Sequence, residues 1–302
     1  MINLPNGVDI NNLIDDLKKI SWEAADILIY YSKKINDTRN KDEFIRSSNT
    51  NDPVTIADLK VNKLIIKKIK ERYSNIDWDI LSEENQKMND LSLLRNSSWR
   101  WILDPLDGTK DFIQGTGNFA MHLALNYKNK PMLGVVLVPE KDELWISDGK
   151  NVCCESREAN SKDVNLSSNF KLEDMRLVTS KNHKNRLLQE LIRNIPFKST
   201  IEQGSIGCKI STIIKGEADI YISLSVPGQN APKDWDFAAP EAILVASGGA
   251  ITNLNNEELR YNQNEFKHPG IIIASNNKRN HKLICQQIKQ IIIENKLIPF
   301  NI

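Results

Sequence analysis

The sequence predicts an α+β/α-β layered sandwich, with an N-terminal α+β half packed beside a C-terminal α/β half. Three observations predict it. Apolar residues at helical spacing dominate the chain up to Tyr73. Three strand-like runs then follow one another between Phe119 and Ser147. From Arg176 onward strands alternate with helices.

Leu13, Leu17, Ile20, Ala24, Ile27 and Tyr31 recur at steps of three and four, which predicts an amphipathic helix over 12–34. Residues 37–51 are polar and read as a loop or edge segment. A second helix is predicted from Thr55 through Leu59, Asn62, Ile66 and Ile69 to Tyr73. The short apolar run Asp79-Ile80-Leu81 ends at Ser82-Glu83-Glu84. Trp99 to Leu103 reads as a buried strand and Asp104 to Thr109 as the turn leaving it. Phe119–Tyr127, Met132–Val138 and Glu143–Ser147 read as consecutive antiparallel strands. Residues 155–170 are polar and rich in Ser and Asn, so the expected division is 1–155 and 171–302. In the second part, 176–179, 218–224, 251–254 and 270–274 read as strands. Helices are expected at 183–195, 205–215, 236–247 and 280–293, the third stopped by Gly248-Gly249.

Lys and Arg total 40 against 39 Asp and Glu, a formal net charge of +1. Such a balance supplies no overall field for nucleic acid or a membrane surface. The basic run Lys60, Lys63, Lys67, Lys68 and Lys70 reads as a solvated helix face, and no nucleic-acid partner is expected. No run reaches the roughly 18 apolar residues of a spanning helix, and the N-terminus carries no secretion pattern. Cys153, Cys154, Cys208 and Cys285 have no zinc-like spacing and read as free thiols in a reducing cytoplasm.

Four acidic segments end apolar runs: Asp58, Glu83-Glu84, Asp104 with Asp107, and Asp236. If they cluster, they need a cation, and an all-oxygen set suits Mg²⁺. Asp104-Pro105-Leu106-Asp107-Gly108-Thr109 carries most of the information. Pro105 fixes φ, and Gly108 permits a conformation closed to other residues. Taken alone, the segment reads equally as a strand-to-helix turn with a Thr cap. Asp236 alone reads as a helix cap with Pro240 in the first turn. Glu83-Glu84 alone reads as a solvated acidic pair, Asp58 as a helix-surface charge and His122 as a satisfied core histidine. On charge alone, Asp107→Asn should cost most activity while metal-free stability holds or rises.

The ordered set changes this balance. Asp52-Pro53-Val54-Thr55-Ile56-Ala57-Asp58, Leu81-Ser82-Glu83-Glu84, Trp101-Ile102-Leu103-Asp104-Pro105-Leu106-Asp107-Gly108-Thr109 and Trp235-Asp236-x-Ala238-Ala239 appear in that order. Together they resemble the inositol monophosphatase superfamily, over 52–275. Within it the chain is most similar to the 3′(2′),5′-bisphosphate nucleotidases of the CysQ type. Three segments carry that narrower likeness: Lys110-Asp111-Phe112, Thr179-Ser180-Lys181-Asn182-His183 and Gly204-Ser205-Ile206-Gly207-Cys208-Lys209. Pro240 stands where many relatives have Gly. Lys181 stands where Arg is common, without the bidentate fork for phosphate.

The resemblance implies an αβαβα sugar-phosphatase fold and a lithium-sensitive phosphatase holding two or three Mg²⁺. It implies Glu83, Asp104, the Leu106 carbonyl, Asp107 and Asp236 as metal ligands, with Asp58 near a further, weaker metal. Glu83, Thr109 and Asp58 form the implied catalytic set. Gly108 and Thr109 amides would hold the scissile phosphate, and Ser180, His183, Ser205 and Lys209 would touch the nucleotide. The implied reaction removes the 3′-phosphate of 3′-phosphoadenosine 5′-phosphate, or of its sulfated form, by in-line attack of a metal-activated water. No Cys precedes Arg by six positions and Asp104 and Asp107 are three apart, so neither a cysteine nucleophile nor an Asp-x-Asp nucleophile is expected. An inositol or fructose-bisphosphate phosphatase, and an RNA or transcription-complex partner, are the rival readings. A homodimer is a family expectation.

Overall fold

The computed structural model describes residues 4–38, 40–46, 53–158, 161–182, 185–226 and 228–299. Helices α1 (Ile10–Asp37) and α2 (Ile56–Arg72) come first. Asp9 caps α1 by accepting from the Asn11 and Asn12 amides. Strand β1 (Asp79–Ser82) runs straight into the short α3 (Glu83–Lys87). Strand β2 (Trp99–Asp107) leads to α4 (Thr109–Gln114), and then β3 (Ala120–Tyr127), β4 (Lys130–Val138), β5 (Glu143–Ser147), β6 (Val152–Glu155) and β7 (Ser161–Lys162) follow as a meander. These seven strands form one sheet in chain order, with β1 parallel to β2 and every later pair antiparallel.

The second sheet is built from β8 (Arg176–Ser180), β9 (Ser199–Gln203), β10 (Ile220–Ser225), β11 (Ala250–Asn253) and β12 (Gly270–Ser275), in the order β11-β12-β10-β8-β9. Between them run α5 (Arg186–Asn194), α6 (Ile206–Ile214) and α7 (Asp234–Ala246), and α8 (His281–Glu294) closes the chain.

The period of two along the strands divides the interior into three cores. Trp101, Leu103, Leu123 and Val135 face α1 and α2, meeting Leu13, Leu17, Val61 and Ile65. Their neighbours Ile102, Ala124 and Val136 face the other way, onto Ile210 and Ile213 of α6, Ala239 and Ile243 of α7, and Val178, Tyr221 and Ile272 of the second sheet. Leu177, Ile222, Ile271 and Ile273 then face outward onto Leu188 and Leu191 of α5 and Ile284 and Ile288 of α8. Helix pair, sheet, helix pair, sheet, helix pair is the αβαβα sandwich. Gly134 marks the closest approach of α7 to the first sheet: a Cβ there would lie 2.7 Å from the Ala239 carbonyl oxygen and from the Ala242 Cβ.

Two local expectations are corrected. The strand does not end at Leu103. Strand β2 continues through Pro105 to Asp107, and its register with β3 slips between the pairs Asp104–His122 and Asp107–Ala120. The bulge accommodates Pro105, which has no amide for the ladder, and re-aims both aspartates. Helix α7 starts at Asp234, so Pro240 sits in the helix interior rather than in its first turn, where it removes the amide that the Asp236 carbonyl would accept.

No disulfide joins Cys153, Cys154, Cys208 or Cys285. Among the described residues, no helix is long and apolar enough to cross a membrane.

Candidate metal centre

The bulge at the end of β2 and the first turn of α7 meet over the middle layer. Carboxylate oxygens of Asp104, Asp107 and Asp236 all lie within 4.8 Å of one another there. Each aspartate has its own support. Asp104 accepts from the Leu106 amide at 3.0 Å. Asp236, third residue of α7, accepts from the Lys233 amide at 2.6 Å, so it caps its helix and joins the cluster at once. Asp107 Oδ2 sits at the N-terminus of α6, taking the Ser205 hydroxyl at 2.6 Å, the Ile206 amide, and the Gly207 amide at 3.3 Å. That position favours an anion through free amides and the helix dipole.

Electrostatics agree with a cation site. The buried Asp104 carboxyl is pushed well above the ordinary carboxylate range by desolvation, then by Glu83, Asp107 and Asp236. Asp236 is raised by desolvation, Asp107 and Glu83. Three hard oxygen donors whose negative charge is costly to hold are the donor set a divalent ion fits.

Glu83 opens α3 beside this trio; its carboxylate pairs with Lys87 at 2.9 Å. Glu84 and Asp58 are buried, so neither is a solvated surface charge. Burial raises Asp58 to about 7, against the two Thr55 hydrogen bonds, and Glu84 to about 8. Thr109 does not cap α4, whose N-cap is Gly108 without a side-chain bond. Its hydroxyl instead donates to the Leu106 carbonyl at 3.1 Å, with Asp58 Oδ1 at 3.4 Å.

The remaining expected residues lie around α6. Lys209 is buried, its ammonium donating to the Ser205 carbonyl at 2.9 Å and lying over the Tyr221 ring. Burial lowers its pKa, and Asp107 acts against that shift. Ser180 ends β8 and is buried beside Tyr221. His183 lies outside the described residues.

His122 is buried, as expected of a core histidine, yet its ring is not fully satisfied. Nδ1 faces the Trp235 carbonyl at 3.3 Å and Nε2 lies 3.3 Å from Asp107 Oδ2, without a hydrogen bond of its own. Its embedding in an apolar run hid this role; the β2–β3 register is what brings it to the site. Asp111 is a second such residue. It accepts from the Thr116 hydroxyl at 2.7 Å and the Asn182 amide at 2.6 Å, tying α4 to the segment after β8.

Two expected results follow from this geometry. Gly108 has φ +88°, and a Cβ there would meet the Asn118 carbonyl oxygen at 2.9 Å and the Ser205 nitrogen at 3.2 Å. Gly108→Ala should cost about 2 kcal/mol in urea unfolding and lower activity, because the methyl presses on the turn that holds Asp107. An unchanged unfolding midpoint would contradict this. The second concerns pH. Asp58 and Glu84 have folded pKa values above their ordinary 3.8 and 4.5. The folded chain keeps protons the unfolded chain has lost, so their contribution is present at low pH and disappears as pH climbs through about 7 and 8. Metal-free protein should therefore melt lower at about pH 8.5 than at about pH 6.5, and saturating Mg²⁺ should shrink the difference. A melting temperature that rises with pH in chelator would refute it.

The chain is similar to known proteins over most of its length. A model described as the inositol monophosphatase family matches residues 10–292. A 3′(2′),5′-bisphosphate nucleotidase CysQ from Aggregatibacter actinomycetemcomitans is 29% identical over 280 residues, covering 87% of this chain and 93% of that protein. The CysQ of Buchnera aphidicola is 31% identical over 258 residues, covering 83% and 90%. Among solved structures, CysQ from Bacteroides thetaiotaomicron superposes with a TM-score of 0.64 at 26% identity, covering 84% of this chain and 94% of that one. An IMPase from Thermotoga maritima superposes with a TM-score of 0.72 at 21% identity, covering 94% and 99%, and shares the fold.

Proposed function

The chain belongs to the inositol monophosphatase family and is a phosphatase, and from that premise we propose that it removes the 3′-phosphate of 3′-phosphoadenosine 5′-phosphate with the help of Mg²⁺. The observation that carries the reading is the convergence of Asp104, Asp107 and Asp236, from β2 and α7, within ligand distance of one another. The nucleotide substrate rests on the CysQ relatives, whose likeness spans most of both chains.

In this reading Asp104, Asp107 and Asp236 hold the metal, with Glu83 and the Leu106 carbonyl completing its surroundings. Bound there, two or three Mg²⁺ ions would offset the charge of a phosphate monoester dianion and acidify water. The chain's own groups orient that water. The Thr109 hydroxyl hydrogen is engaged by the Leu106 carbonyl or by Asp58, so its oxygen lone pairs are available to accept from an attacking water. Glu83, with Asp58 behind Thr109, takes up the proton. Gly108 and Thr109 amides face the phosphate. Ser205 has its hydroxyl committed to Asp107, so its first task is to fix that ligand. Lys209, in the first turn of α6, offsets part of the Asp107 charge. Ser180 and His183 are assigned to the nucleotide side, and a homodimer is retained as the quaternary arrangement.

The test is phosphate release with Mg²⁺ from 3′-phosphoadenosine 5′-phosphate, inositol 1-phosphate and fructose 1,6-bisphosphate. The nucleotide should give the highest kcat/KM. A higher value for either sugar phosphate would move the substrate assignment to that class while leaving the metal chemistry in place.

A further inference from the structure

The acidic residues fall into two groups that differ in how their charge is met. Asp104, Asp107 and Asp236 bring oxygens within ligand distance of one another, and the Glu83 carboxyl hydrogen-bonds to Asp104 at the edge of that set. Glu83 and Glu84 in addition pair with an ammonium group. Helix α3 is one turn long, so Lys87 returns over Glu83 at i+4 and over Glu84 at i+3. Its Nζ lies 2.9 Å from Glu83 Oε1 and 3.4 Å from Glu84 Oε1, with the side chain largely shielded from solvent. Its charge also reaches Asp58.

A Mg²⁺ ion binds carboxylate oxygen at about 2.0–2.1 Å and demands nearly regular geometry. An ammonium hydrogen-bonded to the same oxygen competes for its lone pairs and repels the ion. A divalent ion on the Glu83–Asp58 side therefore has to displace Lys87 or accept it as a neighbour. On the Asp104–Asp107–Asp236 side the Lys209 and Lys233 charges are felt without an ion-pair contact: Lys209 donates to the Ser205 carbonyl and Lys233 to the Gln86 side chain.

We propose that Lys87 is a positioning residue and the built-in counter-ion of the Glu83 end of the cluster, and that it limits the number of divalent ions the centre holds. The proposal rests on the metal-centre reading above. It adds that this chain supplies one cation itself, where its acidic residues alone would take a further metal. Lys87 also holds the Glu83 carboxylate in place before any metal arrives.

The test counts Mn²⁺ bound to the full chain by electron paramagnetic resonance of the free ion, for wild type, Lys87→Gln, Lys87→Met and Lys87→Arg. Both neutral variants should bind one more Mn²⁺ per chain, or bind their weakest ion about tenfold more tightly, as removal of a neighbouring positive charge requires. Lys87→Arg should match wild type. Two neutral variants give the count independent chances of a folded protein, and melting curves identify which are folded. Equal numbers and affinities in wild type and either folded neutral variant would overturn the proposal while leaving the metal centre standing. So would a Lys87→Arg protein that behaves like Lys87→Gln. A wild-type chain that binds no Mn²⁺ would bring down the metal-centre reading itself, and the proposal with it.

Discussion

Replacing Asp104 with Asn should lower kcat/KM for phosphate release at least about a thousandfold, equivalent to about 4 kcal/mol of transition-state stabilisation, and should raise the melting temperature of the metal-free protein. Both effects have one cause. Asp104 is buried against Glu83, Asp107 and Asp236, and its carboxyl is raised because ionising it there is costly. Without metal, the carboxylate is a liability that Asn relieves while keeping an acceptor for the Leu106 amide at 3.0 Å. In the proposed metal centre the same charge would serve as a ligand, and Asn would be a weaker one. A variant that keeps activity, or that melts lower without metal, would contradict the assignment.

Asp107→Asn should lose activity to a similar degree but with the opposite effect on stability. Like-charge relief alone would keep or raise the metal-free melting temperature, which is what the sequence suggested. The structure reverses that expectation. Asp107 Oδ2 is the charged acceptor for the Ser205 hydroxyl and for the Ile206 and Gly207 amides at the start of α6. A neutral amide loses the charge at that helix end, a change worth about 1–2 kcal/mol in a partly buried setting. The metal-free Asp107→Asn protein should therefore melt below wild type, while Asp104→Asn melts above it. Two aspartates three residues apart, with equal loss of activity and opposite shifts in stability, form a contrast that a plain turn between β2 and α4 would not produce.

Much of this fold was legible because its period signals are strong. The α1 stripe from Leu13 to Tyr31 and the alternation in β3 to β5 need only burial of one face to be recognised. Strand β9 carried no such signal: Ser199, Thr200, Ile201 and Glu202 are all exposed at the sheet edge, so no residue pattern marks the strand. The polar segment after Glu155 read as a boundary from composition. In three dimensions its backbone is tied to both halves: Ser161–Lys162 adds β7 to the first sheet, and the Asn165 amide bonds to the Ile214 carbonyl at 2.8 Å.

Legibility within the site follows the same logic. The order of Asp58, Glu83, Asp104, Asp107 and Asp236 along the chain was visible, and the resemblance gave it meaning. What stayed hidden were the partners that depend on register or on helix return. His122 reaches Asp107 only because β3 pairs with the bulged end of β2. Lys87 was detectable in principle, since it stands four residues after Glu83, but five residues do not announce a helix. Ser205 was read as a substrate contact. Its positive φ of 44° and its bond to Asp107 show a hydroxyl that is also held by that carboxylate.

The central claim is that Asp104, Asp107 and Asp236 form a metal centre on which phosphate release depends. The most direct measurement is phosphate release from 3′-phosphoadenosine 5′-phosphate by chelated protein, before and after Mg²⁺ is restored. No release above background in chelator and full recovery with Mg²⁺ is the predicted result. Undiminished release from protein shown to be metal-free would contradict it.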